Sequence, residues 1–322
     1  MLAPDSLVML LLCSQLGLED PSDKALTLRE WNPLARKLQA TSFHPADLLT
    51  VPMADLQVRL TLSGDEITRL DKLLSRRREL SRELERYHHL GIFTLTRADS
   101  DYPLLYRKRL KDSAPLVLFY AGEKALLGQP GIAVVGSRHL DQAGQECAQF
   151  VGNACGLSGQ VLYSGGAKGV DTLSMDSALE ARGTAVGVLA DDLEKTIRSH
   201  QVALQRGDLC LVTPYSPNAG FSVGAAMGRN RLIYCLSDYA IVVASDAETG
   251  GTWAGATETL KNGWVPVFVL EHAKMPDGNK LLLQKGALPF PHPFSEPPLK
   301  LAEWLSEKSS RQPKAPSQIE LF

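Results

Sequence analysis

The 322-residue sequence has no excess of charge of either sign, since 34 Lys and Arg stand against 36 Asp and Glu. This balance excludes a basic field over the whole molecule, which would by itself indicate nucleic-acid binding. Any site for an anion must therefore be local. The 44% content of hydrophobic residues is ordinary for a globular protein and predicts a sizeable core.

Other features are scarce as well. The five cysteines form no CxxC pair and no metal-ligand spacing, which predicts a reducing, cytoplasmic setting without disulfides or metal. The apolar run Leu7–Leu12 is too short to span a bilayer, and Asp5 stands where a signal peptide would be basic. No Ser, Cys or His has credible triad partners, so we expect neither a catalytic residue nor a cofactor.

The apolar pattern changes along the chain. Residues 1–92 are predicted to form a helical N-terminal module, with helices at Leu7–Leu18, Leu28–Ala40, Pro45–Leu49 and Gly64–Leu90. From Phe93, seven strand-like runs alternate with helical stretches, which predicts an α/β domain over 93–296 with a mostly parallel sheet covered on both faces. Residues 297–322 are predicted as a flexible tail, with a Ser-, Lys- and Pro-rich linker at Ser306–Ser317.

One strand, Ile132–Val135, leads directly into Gly136, Ser137 and Arg138. A parallel sheet presents anion sites in this way at the carboxyl ends of its strands. The glycine lets the chain turn tightly, the serine can donate to a phosphate oxygen, and the guanidinium matches phosphate with two hydrogen bonds. The alternative is a structural turn with Arg138 on a surface acid.

Two further glycine-rich turns precede helices, where exposed amides and the helix N-terminus favour an anion. Asp141 and Asp171 are predicted as helix caps. A structural turn, and a solvated lysine at position 168, remain alternatives. The predicted phosphate contacts are Ser164, Gly165, Gly166 and Lys168 in one turn and Gly250, Gly251 and Thr252 in the other.

Arg229-Asn230-Arg231 lies where a helix enters the core, and arginine is seldom buried without a partner. We therefore expect one arginine to pair with an internal carboxylate and the other to face a phosphodiester. Arg229 is favoured for the ligand and Arg231 for the structural pair, and all three residues, Arg229, Asn230 and Arg231, are included among the predicted DNA or phosphate contacts. The cluster Arg76–Arg78 alternates with glutamates nearby, which predicts a solvated, ion-paired helix face.

Aromatic side chains for base stacking are not obvious beside the glycine turns. Tyr163, Phe221 and Trp253 are the candidates, and core packing is the favoured role for Tyr163.

In collinear order these segments resemble the DprA/Smf family of DNA-processing proteins. Its pattern has a Tyr-Pro element, GSR with a later Gly, SG-x-A-x-G-[IV]-D, RNR, SG-x-x-TA and a closing G-x-N-x-L-I…GA. The matching residues are Tyr102-Pro103, Gly136–Arg138 with Gly144, Ser164–Asp171, Arg229–Arg231, Gly250–Thr252, and Gly278-Asn279 with Leu282 and Gly286-Ala287.

The resemblance implies an extended Rossmann-like domain behind a small all-α module. It also implies a homodimer that binds and protects single-stranded DNA in a basic crevice and hands it to the RecA recombinase in transformation or recombination, without catalysis. The chain departs from the family at Ser174-Met175, where Ala-His is usual, and at Thr213-Pro214, where Ser-Glu is usual. No winged helix follows residue 295, so the sequence resembles a divergent member.

The last residues, Gln318-Ile319-Glu320-Leu321-Phe322, are similar to the sliding-clamp-binding pentapeptide of bacteria. Gln318, Leu321 and Phe322 occupy its defining positions. A flexible linker before them suits a peptide that docks in an apolar groove. The alternative is an untethered or self-docked terminus.

An enzyme or sensor acting on a free nucleotide is the second hypothesis. Related Rossmann-like proteins, including the Lonely Guy phosphoribohydrolases, carry Gly-Gly-x-Gly-Thr-x-x-Glu in the segment that contains Gly250–Thr252. Glu258 follows Thr252 by six residues rather than three, and Glu248 is nearer to the predicted crevice. A glycosidic cleavage would need such a carboxylate held against the ribose.

Overall fold

The computed structural model describes residues 2–18, 20 and 23–310. These residues fall into two compact units that divide between residues 121 and 122, and residues 213–218 belong to the first unit. Among the described residues no helix combines the length and apolar character needed to cross a membrane.

The first unit consists of helices and one pair of antiparallel strands. The buried side chains of Val8–Leu12 form its centre, and the second helix contributes Trp31, Leu34 and Leu38 at helical spacing. The helices are Pro4–Cys13 (α1), Leu28–Ala40 (α2), Met53–Arg59 (α3), Gly64–Ser75 (α4), Arg77–His89 (α5) and Leu104–Leu110 (α6), and the strands are Phe93–Thr96 (β1) and Val117–Gly122 (β2).

Arg76 corrects two expectations for this unit. The predicted helix Gly64–Leu90 is broken at Arg76 into α4 and α5. The Arg76 side chain is buried rather than solvated, because its guanidinium donates to the carbonyls of Leu11, Ser14 and Leu16 around the end of α1. These carbonyls have no partner inside α1, so the arginine satisfies the helix end. Burial lowers the pKa of Arg76 to about 10.

Other boundaries in this unit also differ from the expected ones. α1 spans Pro4–Cys13 instead of Leu7–Leu18, and α3 has no counterpart among the predicted helices. α2 has the predicted bounds, and a 3-10 helix occupies Pro45–Leu49 as expected.

The second unit is built on seven parallel strands in the order β6-β5-β4-β3-β7-β8-β9. The central strands are buried on both faces, as in sheets covered by helices. This confirms the predicted α/β, mostly parallel, Rossmann-like sheet. The strands are Gly131–Val135 (β3), Val161–Ser164 (β4), Ala185–Val188 (β5), Leu209–Thr213 (β6), Tyr239–Val242 (β7), Val267–Glu271 (β8) and Leu288–Pro291 (β9).

The helices of this unit are Gln142–Ser158 (α7), Val170–Glu180 (α8), Leu193–Ser199 (α9), Gln201–Gln205 (α10), Val223–Leu236 (α11), Gly250–Asn262 (α12), Asp277–Gln284 (α13) and Leu301–Ser310 (α14). The helices α7 to α13 connect successive strands, and α14 follows the last strand. β3 is the point where the strand order reverses, because β4 pairs on one side of it and β7 on the other. Ligands of open α/β sheets bind at such a point, outside the carboxyl ends of the strands.

α14 extends the ordered chain further than the sequence predicts. The predicted linker begins at Ser306, but the helix continues to Ser310. Leu301 and Leu305 are buried, and the Trp304 ring packs 5.1 Å from the ring of Phe294, so the helix is fastened to the unit. The rest of the predicted linker, with Gln318, Leu321 and Phe322, lies outside the described residues.

Candidate functional site

A cleft of about 600 Å³ opens at the carboxyl ends of β3 and β7. It lies where the strand order reverses, and the loops after both strands line it together with the first turns of α11 and α12. It contains eight of the thirteen residues predicted to contact phosphate. These are Gly136, Ser137, Arg138, Arg229, Asn230, Gly250, Gly251 and Thr252.

The loop after β3 is held by backbone contacts. The Ser137 amide donates to the Ala244 carbonyl (2.9 Å), and the Val170 amide donates to the Ser137 carbonyl (3.3 Å). A Cβ atom at Gly136 would lie 2.5 Å from Val170 Cγ2, so only glycine fits. The exposed Arg138 guanidinium lies 5.6 Å from the centroid of the Phe221 ring, which leaves its donors available at the cleft mouth.

The turn after β4 lines the cleft through Ala167 and Asp171, and the predicted phosphate contacts of this turn stay a prediction. Ser164 is buried and its hydroxyl donates to the Val134 carbonyl (2.7 Å), so it fastens β4 to β3. Ser164, Gly165 and Gly166 do not line the cleft. Lys168 is exposed and also outside the lining, although Gly169 packs its turn against the backbone of Arg138.

A buried ion pair supports this turn and corrects two expectations. Asp171 is not the N-cap of α8, because the helix already begins at Val170. Its carboxylate is buried and interacts electrostatically with Arg229. Arg229, assigned to the ligand from sequence, is 5% exposed and donates to the Val188 carbonyl. Arg229 therefore has the structural role that was expected of Arg231. Among the described residues around this turn, Asp171 carries the only buried carboxylate, and the Arg229 side chain lies beside it.

The pair depends on Gly165. A Cβ atom at this position would lie 2.5 Å from Asp171 Oδ2 and would collide with Arg229 Nη1. Burial raises the pKa of the Asp171 carboxyl, and Arg229 and the amides of Ala167 and Gly165 oppose that shift. The glycine turn thus makes room for a buried charge pair, and contact of its amides with a ligand stays a prediction.

Asn230 and Arg231, which follow Arg229 in the sequence, have different environments. Asn230 lines the cleft and packs against the first turn of α12, since a Cβ atom at Gly251 would lie 2.5 Å from Asn230 Nδ2. Arg231 is half-buried and lies outside the lining. Asn230 therefore positions α12 from within the site.

The first turn of α12 forms the far wall. Gly250 has φ of 80°, which glycine adopts readily, and Thr249 at the N-cap makes no side-chain capping hydrogen bond. The first amides of a helix have no partner inside it and favour an anion. Gly250, Gly251 and Thr252 therefore keep the predicted geometry of a phosphate contact.

Asn279 anchors the strand end beside this wall. Its buried side chain accepts from the Ser245 amide (2.9 Å) and donates to the carbonyls of Val243 and Leu270 (3.0 Å each). Gly278 packs against the Ser245 and Asp246 carbonyls. The Gly278-Asn279 motif noted in the sequence thus holds the loop after β7 in place.

Sequence reasoning missed part of the cleft lining. Val223 and Met227 lie there with side chains that are 67% and 44% exposed, next to Phe221 at 54%. The apolar residues at the start of α11 were available as a signal. Asp246 and Glu248 also line the cleft, so the crevice is mixed in charge and not uniformly basic.

The three aromatic residues considered for base stacking differ in their surroundings. Tyr163 is buried, and its hydroxyl donates towards the carbonyls of Leu126 and Gln129, which confirms its packing role. Phe221 and Trp253 line the cleft. They are in position to contact a planar ligand.

The two glutamates considered for a nucleotide-directed activity also differ in position. Glu248 lines the cleft, whereas Glu258, two turns into α12, does not. Within the described part of the chain no three His, Cys, Asp or Glu side chains gather as a metal site. All five cysteines are free thiols, and four of them are buried.

The sequence model of a family described as DNA recombination-mediator protein A matches residues 93–293. DNA processing protein DprA of Streptococcus pneumoniae is 31% identical over 181 residues, which cover 54% of this chain and 63% of that protein. The chain thus spans less than two thirds of the length of the curated relatives that it matches.

Two solved structures share the fold. The crystal structure of DNA processing protein A from Streptococcus pneumoniae has a TM-score of 0.69 and 22% identity, over 90% of this chain and 95% of that one. DNA processing protein A from Helicobacter pylori has a TM-score of 0.56 and 24% identity, over 69% and 97%. The Helicobacter pylori structure is described as giving insight into a unique single-stranded DNA binding mode of that protein.

Proposed function

Because the chain belongs to the DNA recombination-mediator protein A family, we propose that its cleft binds the sugar-phosphate backbone of single-stranded DNA. The observation that carries this proposal is the meeting of Arg138, the uncapped first turn of α12 and exposed apolar side chains in one cleft. The single-stranded DNA binding described for the Helicobacter pylori protein is consistent with it.

The cleft offers a different surface to each part of the strand. The amides of Gly250–Thr252 and the Arg138 guanidinium would hold phosphate oxygens, and Lys168 would add a cation from the neighbouring turn. Phe221 and Trp253 would stack on bases. Every base has an aromatic face, so this contact does not require a particular sequence. Binding should therefore depend little on overall sequence composition and strongly on salt.

Fluorescence anisotropy with a labelled single strand tests the proposal over a salt series. Each phosphate contact is expected to contribute about −0.7 to the slope of log affinity against log salt. Arg138→Ala should weaken binding and make the slope less negative by about that amount. Arg198→Ala is the matched control, because Arg198 is an exposed arginine of the same unit outside the cleft lining. No binding, or equal loss in both variants, would contradict the proposal.

We further propose that the protein protects incoming single strands and assists loading of a RecA-type recombinase as a cytoplasmic homodimer, without catalysing a reaction. Family membership supports these roles. Nuclease protection of a bound strand, recombinase assembly on that strand and sedimentation of the free protein are the tests. Arg138→Ala should reduce protection and assembly together if both require the cleft.

Residues Gln318, Leu321 and Phe322 are proposed to bind the sliding clamp, on their similarity to its peptide motif alone. Replacing Leu321 and Phe322 by Ala should abolish binding of the full chain to purified clamp in calorimetry, while single-strand affinity stays unchanged. Unchanged clamp affinity in that variant would contradict the assignment.

A nucleotide-directed activity remains a second candidate because Glu248 lines the cleft. It predicts that a mononucleotide displaces the labelled strand and is consumed, and that Glu248→Gln stops turnover. DNA binding without competition by mononucleotides would exclude this candidate.

A further inference from the structure

The charged lining of the cleft contains more carboxylates than a phosphate site requires. Arg229 interacts with Asp171, and the lining also contains Arg138, Asp246 and Glu248. Within residues 23–310, which include the whole cleft, neither the Asp246 nor the Glu248 side chain has a hydrogen-bond or ion-pair partner. Both residues are exposed, so their carboxylates are free to accept hydrogen bonds from water or from a bound ligand.

These carboxylates limit where the strand can lie. Phosphate oxygens carry negative charge and would be repelled by Asp246 and Glu248, so the backbone should follow the first turn of α12 and Arg138 instead. An ionised carboxylate can only accept hydrogen bonds. The groups of a DNA strand that can donate to it are the amino and imino groups on the base edges.

An independent feature brings base edges to the same place. Phe221, Val223 and Met227 form an exposed apolar wall, with between 44% and 67% of each side chain accessible. Trp253 lines the cleft as well. Bases that stack on this wall present their polar edges to the remaining lining, and that lining includes both carboxylates.

We propose that Asp246 and Glu248 accept hydrogen bonds from exocyclic amino groups of the bases, so that the cleft prefers amino-bearing bases over those with a keto group in the same position. Asp and Glu accept in this way from the N4 amino group of cytosine. This inference rests on the proposed binding of single-stranded DNA. It adds a local base preference to a contact that the backbone otherwise makes non-specific.

Homopolymers of deoxycytidine and deoxyuridine provide the comparison, because the two bases have the same size. Cytosine carries an amino donor at C4, whereas the N3 imino donor of uracil lies between two keto oxygens that repel an approaching carboxylate. Labelled strands of about 12 nucleotides are titrated with the full chain at pH 8, where cytosine is neutral. The deoxycytidine strand should bind about tenfold more tightly, which corresponds to one good base contact.

The variant Asp246→Asn with Glu248→Gln should reduce this ratio to about one. Its affinity for the deoxyuridine strand should stay equal or rise, since removing negative charge lessens repulsion of the phosphates. Glu258→Gln is the matched control, because it removes the same charge from α12 outside the cleft and should leave the ratio unchanged. A merely structural role of the acids would lower both affinities together.

Three outcomes overturn the inference while single-strand binding stands. They are equal affinity of the wild-type protein for the two strands, a ratio that the double variant leaves unchanged, and a ratio that disappears with EDTA and returns with Mg²⁺. The last would show that the acids hold a cation. If neither strand binds, the proposed function itself fails and the inference falls with it.

Discussion

Removing Arg229 should destabilise the second unit because it leaves a carboxylate in the interior without its counter-charge. Arg229 and Asp171 are 5% and 6% exposed. Breaking such a buried pair by deleting one partner costs about 3–5 kcal/mol. The amides of Ala167 and Gly165 still stabilise the carboxylate, so we expect Arg229→Ala to cost about 3 kcal/mol of unfolding free energy.

The loss should depend on pH in a defined direction. Burial raises the pKa of the Asp171 carboxyl, and without Arg229 that pKa should rise further. A carboxyl whose pKa is higher in the folded state than in the unfolded state destabilises the fold above that pKa, and protonation relieves the penalty as pH falls. The stability difference between wild type and Arg229→Ala should therefore be larger at pH 8 than at pH 5.

Urea denaturation followed by circular dichroism at both pH values measures the effect. Arg229→Met combined with Asp171→Asn is the control, because replacing both charges avoids an unpaired one and should cost less than Arg229→Ala alone. The reasoning is refuted if Arg229→Ala loses less than about 1 kcal/mol, or if its loss grows as pH falls.

Three other substitutions test packing and hydrogen bonding elsewhere in the two units. Gly165→Ala should cost about 1–3 kcal/mol in urea denaturation because the new methyl group collides with Asp171 and Arg229; an unchanged midpoint would contradict this. Asn279→Ala removes three buried hydrogen bonds and should cost about 2–4 kcal/mol and weaken single-strand binding in anisotropy, since the loop after β7 loses its anchor. Arg76→Met should accelerate hydrogen exchange of α1 amides at least about tenfold, because the end of that helix loses its donors; unchanged exchange would exclude the capping role.

Periodicity succeeded where an element's own residues decide its structure. α2 and the 3-10 helix Pro45–Leu49 have the predicted bounds, and the Asp141 side chain caps α7 as expected. The first loop, Gly136–Arg138, lies in the cleft lining, and its contact with phosphate stays a prediction. Helix caps and tight turns of this kind depend on a few adjacent residues, so the sequence alone predicts them.

The failures occurred where a distant residue decided the outcome. Nothing adjacent to Arg76 shows that its guanidinium meets the end of α1, about sixty positions earlier. Asp171 has the spacing of a helix cap, but burial beside Arg229 makes it an internal counter-ion. Whether a side chain is buried and which residue it pairs with depend on the folded chain, so the spacing of residues in the sequence does not predict them.

By itself the sequence determined the alternation of strands and helices, the glycine turns at strand ends and the family to which the chain belongs. These follow from local propensity, apolar periodicity and the few residue types that tight turns accept. Tertiary structure alone decided which arginine is internal and that Asp246, Val223 and Met227 join the cleft lining. The reason is that charge partners and exposed faces are set by contacts between segments far apart in the chain.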